Sequence, residues 1–222
     1  MKAFTAVEIA HIARLSELTA EDVLRRLAAC GLDSLPGGGA EIFDPRVHDA
    51  AFARKMGAEA WFDVHRIAHG LHLPSNATML YGHVETPAER VRHMIRLREL
   101  QDETGGFQAF VPLSFIPAGS ALSHLPGPTG LDDLKTVAAG RLMLDNFPHV
   151  KAFWPMLTLK LSQVALSFGA DDLDGTVGTY QIATGAGPGR DEVTAEDLRR
   201  VIAAAGLKPI QRDSLYRSVD RD

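Results

Sequence analysis

The chain has 222 residues, 45% hydrophobic and 23% charged, the composition of a globular chain rather than a disordered one. Its 23 Lys and Arg against 28 Asp and Glu give a net charge of −5, which advertises no nucleic-acid partner. A single cysteine, Cys30, excludes an internal disulfide and any iron–sulfur or metal site made of this chain's cysteines alone. As a residue type commonly buried, and lying near a helix end, Cys30 is expected to be a small interior side chain. No apolar run approaches the roughly 20 residues that span a bilayer, and residues 1–5 lack the apolar core of a signal peptide. A cytoplasmic protein is the expectation.

Lys2 to Thr5 reads as a short first strand, followed by a helical stretch over Val7 to Leu15. Thr19 with Asp22 caps the next helix, whose apolar face carries Val23, Leu24, Leu27 and Ala28, and Gly31 ends it. After Ser34 and Leu35, the run Pro36-Gly37-Gly38-Gly39 breaks regular structure, and Asp44-Pro45 starts a turn. A helix from about Ala58 to His69 is followed by a strand from Asn76 to Tyr81. Thr86-Pro87-Ala88-Glu89 combines an N-cap, a proline at N1 and a capping-box glutamate, and Val91, Met94 and Ile95 are expected to be that helix's buried face.

Phe107 to Phe115 is the most apolar strand candidate. Leu131 to Asp145 and Thr158 to Phe168 read as helices, with Val150 to Phe153 extended between them. Ala170 to Arg190 reads as a loop, Thr194 opens a last helix with Leu198, Val201 and Ile202, and Lys208 to Gln211 reads as a final strand. Strands alternating with helices imply parallel βαβ units. No GxGxxG follows the first strand, so the dinucleotide fingerprint is missing. About five such units are fewer than the eight of a full barrel, so the expected fold is α/β, part of a barrel in a single domain. Residues 1–115 carry βα units, and 116–222 the last barrel segments and a helical tail.

Three places hold side chains with chemical potential. Gly37-Gly38-Gly39 lets backbone approach a ligand, although no Lys-Ser/Thr follows to make a P-loop, and a plain flexible loop is the competing reading. His65, His69 and His72 have zinc-like helical spacing, but position 66 is Arg where a zincin carries Glu, which favours a solvated helix face. Tyr81-Gly82-His83-Val84-Glu85 falls at a strand's carboxyl end, where parallel α/β folds bind ligands, and it offers a titratable imidazole and a carboxylate. Strand alternation puts Asn76 and Thr78 on one polar face, suited to line a pocket.

Several long segments together resemble a known family. Gly37-Gly38-Gly39-Ala40-Glu41-Ile42, the run from Asn76 to Thr86 and the run from Arg96 to Phe107 are similar to the radical SAM enzymes of the futalosine route to menaquinone and of deazaflavin assembly. Ser123 to Gly130, Asp145 to Ala152 and Phe168 to Thr176 narrow the resemblance to aminofutalosine synthase. It implies the C-terminal part of a radical SAM (β/α) TIM-type barrel with a C-terminal helical tail. It also implies S-adenosylmethionine, a [4Fe–4S] cluster, and a transferase in menaquinone biosynthesis. In that family the 5′-deoxyadenosyl group adds to 3-[(1-carboxyvinyl)oxy]benzoate, giving 6-amino-6-deoxyfutalosine.

Carried over, the resemblance makes Glu8, Gly37, Gly38, Gly39, Glu41, Tyr81, Gly82, His83 and Glu85 candidates for S-adenosylmethionine, and Asn76, Thr78 and Gln108 candidates for the substrate. No metal ligand and no catalytic residue is assigned. The family's CxxxCxxC segment is not in this sequence, Phe115-Ile116-Pro117-Ala118-Gly119-Ser120 replaces a Phe-His-Pro-Glu-Asn-Thr pattern, and Thr179, Tyr180, Gln181, Ile182 and Thr184 depart from a Glu-Glu-Lys-Ile segment with a following His. Partners are expected to be the small-molecule substrate and, at the first strand's edge, either a cluster-bearing N-terminal half or a second copy, with neither nucleic acid nor membrane. The alternative function is a non-catalytic remnant or scaffold of the same family.

Overall fold

The computed structural model describes residues 1–175 and 193–219. Its centre is a parallel four-stranded sheet in chain order, β1 (Ser75–Tyr81), β2 (Phe107–Ser114), β3 (His149–Ala152) and β4 (Asp172–Leu173). Two single parallel bridges, Lys2 to Ser34 and Leu35 to Ser75, continue the order on the β1 side. Each extended segment therefore lies beside the one before it in the chain. Crossovers in parallel sheets are right-handed as a rule, and with a strand order that never reverses this rule puts the connecting helices on one face. That is the winding expected of barrels, whereas doubly wound sheets reverse at a switch point.

The helices are α1 (Ala6–Ser16), α2 (Ala20–Ala29), a one-turn α3 (Pro45–Val47) running into a π-helical turn (His48–Phe52), α4 (Ala58–Gly70), α5 (Pro87–Thr104), α6 (Gly130–Met143), α7 (Trp154–Leu157), α8 (Leu159–Ala165) and α9 (Ala195–Ala204). Capping boxes at Thr5–Glu8, Thr19–Asp22, Thr86–Glu89, Thr129–Asp132 and Thr194–Asp197 fix where five of them begin. No helix among the described residues is long and apolar enough to cross a membrane.

The core lies between the sheet and the helix layer. Trp61 of α4 stacks on Phe107 and packs at a tilt against Phe43 and His65. Phe110 packs so closely on Gly140 of α6 that a Cβ there would stand 2.8 Å from its ring. Ser75 and Tyr81 also turn to this side, toward α4 and α6. By alternation Asn76, Thr78 and Leu80 occupy the opposite, inner face. A bulge at the start of β1–β2 pairing brings Gln108 onto the inner face beside Asn76, where both side chains meet Lys2.

The structure corrects five expectations about the chain's elements and their faces, and a sixth at His65 and His69. Lys2 to Thr5 is no strand but one bridge, because Phe4 turns left-handed (φ 60°) and the Thr5 cap starts α1 at once. Cys30 is exposed, since it is the C-cap residue of α2 and Gly31 turns the chain away after it. Val91 and Ile95 of α5 face solvent, and the buried stripe is Glu89, His93, Met94, Leu97, Leu100 and Gln101, where polar members hydrogen-bond to neighbouring backbone or to Arg46. Lys208 to Gln211 forms no strand, and the pairing there is one antiparallel bridge, Arg212 to Ser218. Ala170 to Arg190 holds β4, with 176–192 outside the described residues.

Candidate functional site

Three successive extended segments leave the sheet through a left-handed residue: Phe4 (φ 60°), Glu41 (φ 46°) and Gly82 (φ 92°). Two of these are not glycine, and such strained positions cluster at ligand sites because the surrounding fold must hold them. Around them lie most of the residues singled out from the sequence.

The glycine run is shaped by the protein's own packing. A Cβ on Gly37 would lie 2.4 Å from the Asn76 carbonyl oxygen, and one on Gly39 2.5 Å from Val7 Cγ2. Thr78 donates its hydroxyl to the Gly37 carbonyl (2.7 Å), and Trp61 Nε1 donates to that of Gly38 (3.3 Å). The amides of Gly38 and Gly39 make no hydrogen bond among the described residues. Glu41 is ion-paired with Lys55, and its carbonyl accepts from Leu80 N–H (3.0 Å). Glu8, exposed on α1, spends its carboxylate on the Thr5 amide (2.7 Å) and hydroxyl (2.8 Å).

At the end of β1 the loop closes on itself. Glu85 accepts from the amides of Gly82 (2.5 Å) and His83 (2.9 Å) and from Arg90 Nε (2.7 Å), and His83 Nδ1 stands 3.2 Å away. The other imidazole nitrogen meets the Leu80 carbonyl at 2.9 Å. Burial holds the His83 pKa below its ordinary value despite the Glu85 carboxylate. Tyr81 points away from this loop into the helix layer, donating to Asp133 (2.7 Å), which also accepts from Ser114 (2.9 Å). Burial raises both the Tyr81 and the Asp133 pKa. His83, Glu85 and Gly82 are thus brought together, while Tyr81 lies on the other face.

The histidine spacing resolves differently from expectation. His65 is fully buried and His69 nearly so, each within 2.8 Å of the Ser75 hydroxyl, and His69 Nδ1 is 2.7 Å from Thr104 Oγ1. They are core groups that tie α4 to β1 and α5, not a solvated face. His72 is exposed, and no set of three His, Cys, Asp or Glu among the described residues could hold a metal.

Asn76 and Thr78 lie on the inner face with Gln108, and here sequence reasoning missed the charged groups. Lys2 Nζ reaches Asn76 Oδ1 (3.3 Å) and Gln108 Oε1 (3.5 Å) and stands 5.3 Å over the Tyr216 ring. Tyr216 stacks on His149 and meets Asp172 through its hydroxyl (3.4 Å). Arg212 grips Asp172 with two bonds, and Lys151 pairs with Asp174 (2.7 Å). The first and last extended segments thereby share one C-terminal segment. Alternation in β3 and β4 could have flagged Lys151 and Asp172, but nothing local places Arg212 beside them. A separate cavity of about 340 Å3 lies between residues 39–45, the π-helical turn and α4, lined by Phe43, Phe52, Met56 and Trp61, and none of the inner-face residues borders it.

The family described as the CofH/MqnC C-terminal region matches residues 104–221. The aminodeoxyfutalosine synthase of Thermus thermophilus is 50% identical over 224 aligned positions, covering 99% of this chain and 60% of that protein. Its counterpart in Streptomyces coelicolor is 45% identical, with 97% and 59% covered. The 5-amino-6-(D-ribitylamino)uracil–L-tyrosine 4-hydroxyphenyl transferase of Methanococcoides burtonii is 38% identical, with 97% and 63% covered. The chain spans about 60% of the length of these relatives. With just over half of its residues matched end to end, this chain belongs to the CofH/MqnC C-terminal-region family.

Proposed function

We propose that the chain is the C-terminal part of a radical SAM (β/α)-barrel enzyme of the aminodeoxyfutalosine synthase type. The observation that carries this reading is 50% identity sustained over 99% of the chain. The singly wound parallel sheet and its polar inner face support it.

A [4Fe–4S] cluster does not fit this chain's own residues: three thiolates are needed and Cys30 is the single one, exposed at the end of α2. The cluster, and the S-adenosylmethionine cleavage it supports, therefore falls to residues outside these 222. The part assigned here is binding and orientation. The free amides of Gly38 and Gly39 and the strained exits at Phe4, Glu41 and Gly82 form the mouth for S-adenosylmethionine. Asn76, Thr78 and Gln108 line the substrate side, where 3-[(1-carboxyvinyl)oxy]benzoate would be held for addition of the 5′-deoxyadenosyl group, giving 6-amino-6-deoxyfutalosine after loss of CO2. The edge at Lys2 takes a strand from the cluster-bearing half, its N–H and C=O groups being available on the side away from Ser34.

The test is a chimera. The portion of the Thermus thermophilus relative that precedes the matched region is joined to this chain and reconstituted anaerobically with iron and sulfide. Formation of 6-amino-6-deoxyfutalosine, followed by mass spectrometry, is expected. A chimera that holds its cluster and cleaves S-adenosylmethionine but yields no such product overturns the reading in favour of a non-catalytic scaffold.

A further inference from the structure

We propose that Lys2 Nζ, with the side-chain amides of Asn76 and Gln108, anchors a carboxylate of a small-molecule ligand on the inner face of the sheet. The ligand's identity rests on the functional reading above, whereas the anion chemistry rests on the geometry alone.

Among the described residues the charges around Lys2 do not balance: Lys2, Lys151 and Arg212 face two carboxylates, Asp172 and Asp174. Both carboxylates are engaged elsewhere, Asp172 in its two-pronged pair with Arg212 (2.6 and 2.8 Å) and Asp174 with Lys151 (2.7 Å). Among the described residues the Lys2 ammonium is left with two neutral amide oxygens at 3.3 and 3.5 Å and the face of Tyr216. This partly buried ammonium therefore has, among the described residues, no carboxylate of its own, the anion that ordinarily accompanies a buried cation. Burial, with repulsion from Lys151 and Arg212, pulls its pKa down to about 8 against the opposing pull of Asp172 and Asp174.

The amides complete the site. Their oxygens face Lys2, so Asn76 Nδ2 and Gln108 Nε2 are the remaining donors, and neither makes a hydrogen bond among the described residues. A carboxylate has two oxygens and about four lone-pair sites, which one ammonium and two amide NH2 groups can satisfy together. The site also lies on the polar inner face, away from the helix-side core, so a ligand reaches it without disturbing packing.

The experiment measures binding by calorimetry and follows the Lys2 13Cε and 15Nζ signals by NMR in the 222-residue chain. The probes are 3-[(1-carboxyvinyl)oxy]benzoate, benzoate and neutral benzamide. Benzoate should bind in the millimolar range and shift the Lys2 signals, and Lys2→Met should weaken it about 10-fold, as expected for one charge-assisted contact. Benzamide should be indifferent to that substitution, and Lys208→Met, at an exposed site, should change nothing. Should Lys2→Met fold poorly, Gln108→Glu provides the second arm: an internal carboxylate beside Lys2 should exclude benzoate while the fold is kept. Equal benzoate binding by wild type and Lys2→Met, or no carboxylate-dependent shift at Lys2, overturns the anchor. Lys2-dependent benzoate binding with the enol ether no tighter than benzoate keeps the anchor and removes the functional reading. Tight enol-ether binding unaffected by Lys2→Met removes the anchor and keeps that reading.

Discussion

Gly82 and Pro128 are in direct contact: a Cβ on Gly82 would stand 2.5 Å from Pro128 Cδ and 2.6 Å from Cγ. The loop that follows β1 is therefore clamped by the segment leading into α6. Gly82 is required twice, for this approach and for its φ of 92°. Gly82→Ala should destabilise the fold by about 2–4 kcal/mol, strain and overpacking adding together. Gly57→Ala, with nothing within 4 Å of the added carbon, serves as the control and should stay within about 1 kcal/mol. Urea unfolding of the two variants decides it, and equal midpoints would mean the Pro128 contact is not formed.

Glu8 should behave as a cap residue. Its carboxylate is committed to Thr5, so Glu8→Ala should cost about 0.5–1 kcal/mol while Glu8→Gln, which also reaches back to the N-cap amide, costs less. Thermal unfolding resolves the pair, and no loss in Glu8→Ala would show that the capping box does not support α1.

Acid should destabilise the protein in a window set by its histidines. Burial lowers the pKa of His65, that of His69 to about 4 and that of His93 to about 3. His93 is locked neutral, accepting from the Phe43 amide at Nδ1 and meeting the Thr78 carbonyl at Nε2. Above pH 6.5 both folded and unfolded imidazoles are neutral and contribute no pH dependence. Between 6.5 and 4 the unfolded chain takes up protons that the folded one refuses, so stability falls, for His69 alone by about 3 kcal/mol across the window. His69→Gln should make the slope in this range shallower by about one proton. A pH-independent stability from 7 to 4 would contradict the burial of all three.

Arg212 should hold the C-terminal segment to β4. In Arg212→Met the buried Asp172 keeps Lys151 at 3.5 Å and the Tyr216 hydroxyl but loses its two strongest bonds, a cost of about 2 kcal/mol. Amide exchange should speed up at Asp213 and Val219, which bond to Arg217 and Gln211, and stay slow in β1. Unchanged protection at those two amides would sink the anchoring role.

Cys30 should react stoichiometrically with a thiol reagent such as dithionitrobenzoate in the native state, because its side chain is exposed. Labelling that requires denaturant would contradict its position at the end of α2.

Much of the fold is legible in the sequence because its signals are local. Thr86, Pro87 and Glu89 specify the start of α5 within four residues, and apolar runs such as Ala109 to Leu113 mark a buried strand wherever they occur. The capping threonines at 19 and 194 and the glycine stop at 31 are of the same kind. What the sequence determined by itself was the main helices, the strands β1 and β2, the parallel connectivity and the family, all carried by contiguous residues, whereas the strands expected at Lys2 to Thr5 and Lys208 to Gln211 did not form. Only the tertiary structure decided that Val91 and Ile95 face water while Glu89 and His93 are buried, because the choice depends on partners at Arg46, Phe43 and Thr78, far away in the chain. Likewise Lys2, Asn76, Gln108, Asp172 and Arg212 span almost the entire sequence, and each alone is an ordinary polar residue. They come together because the first and last extended segments both meet the C-terminal segment at Arg212 and Tyr216, an effect of long-range geometry that no local spacing encodes.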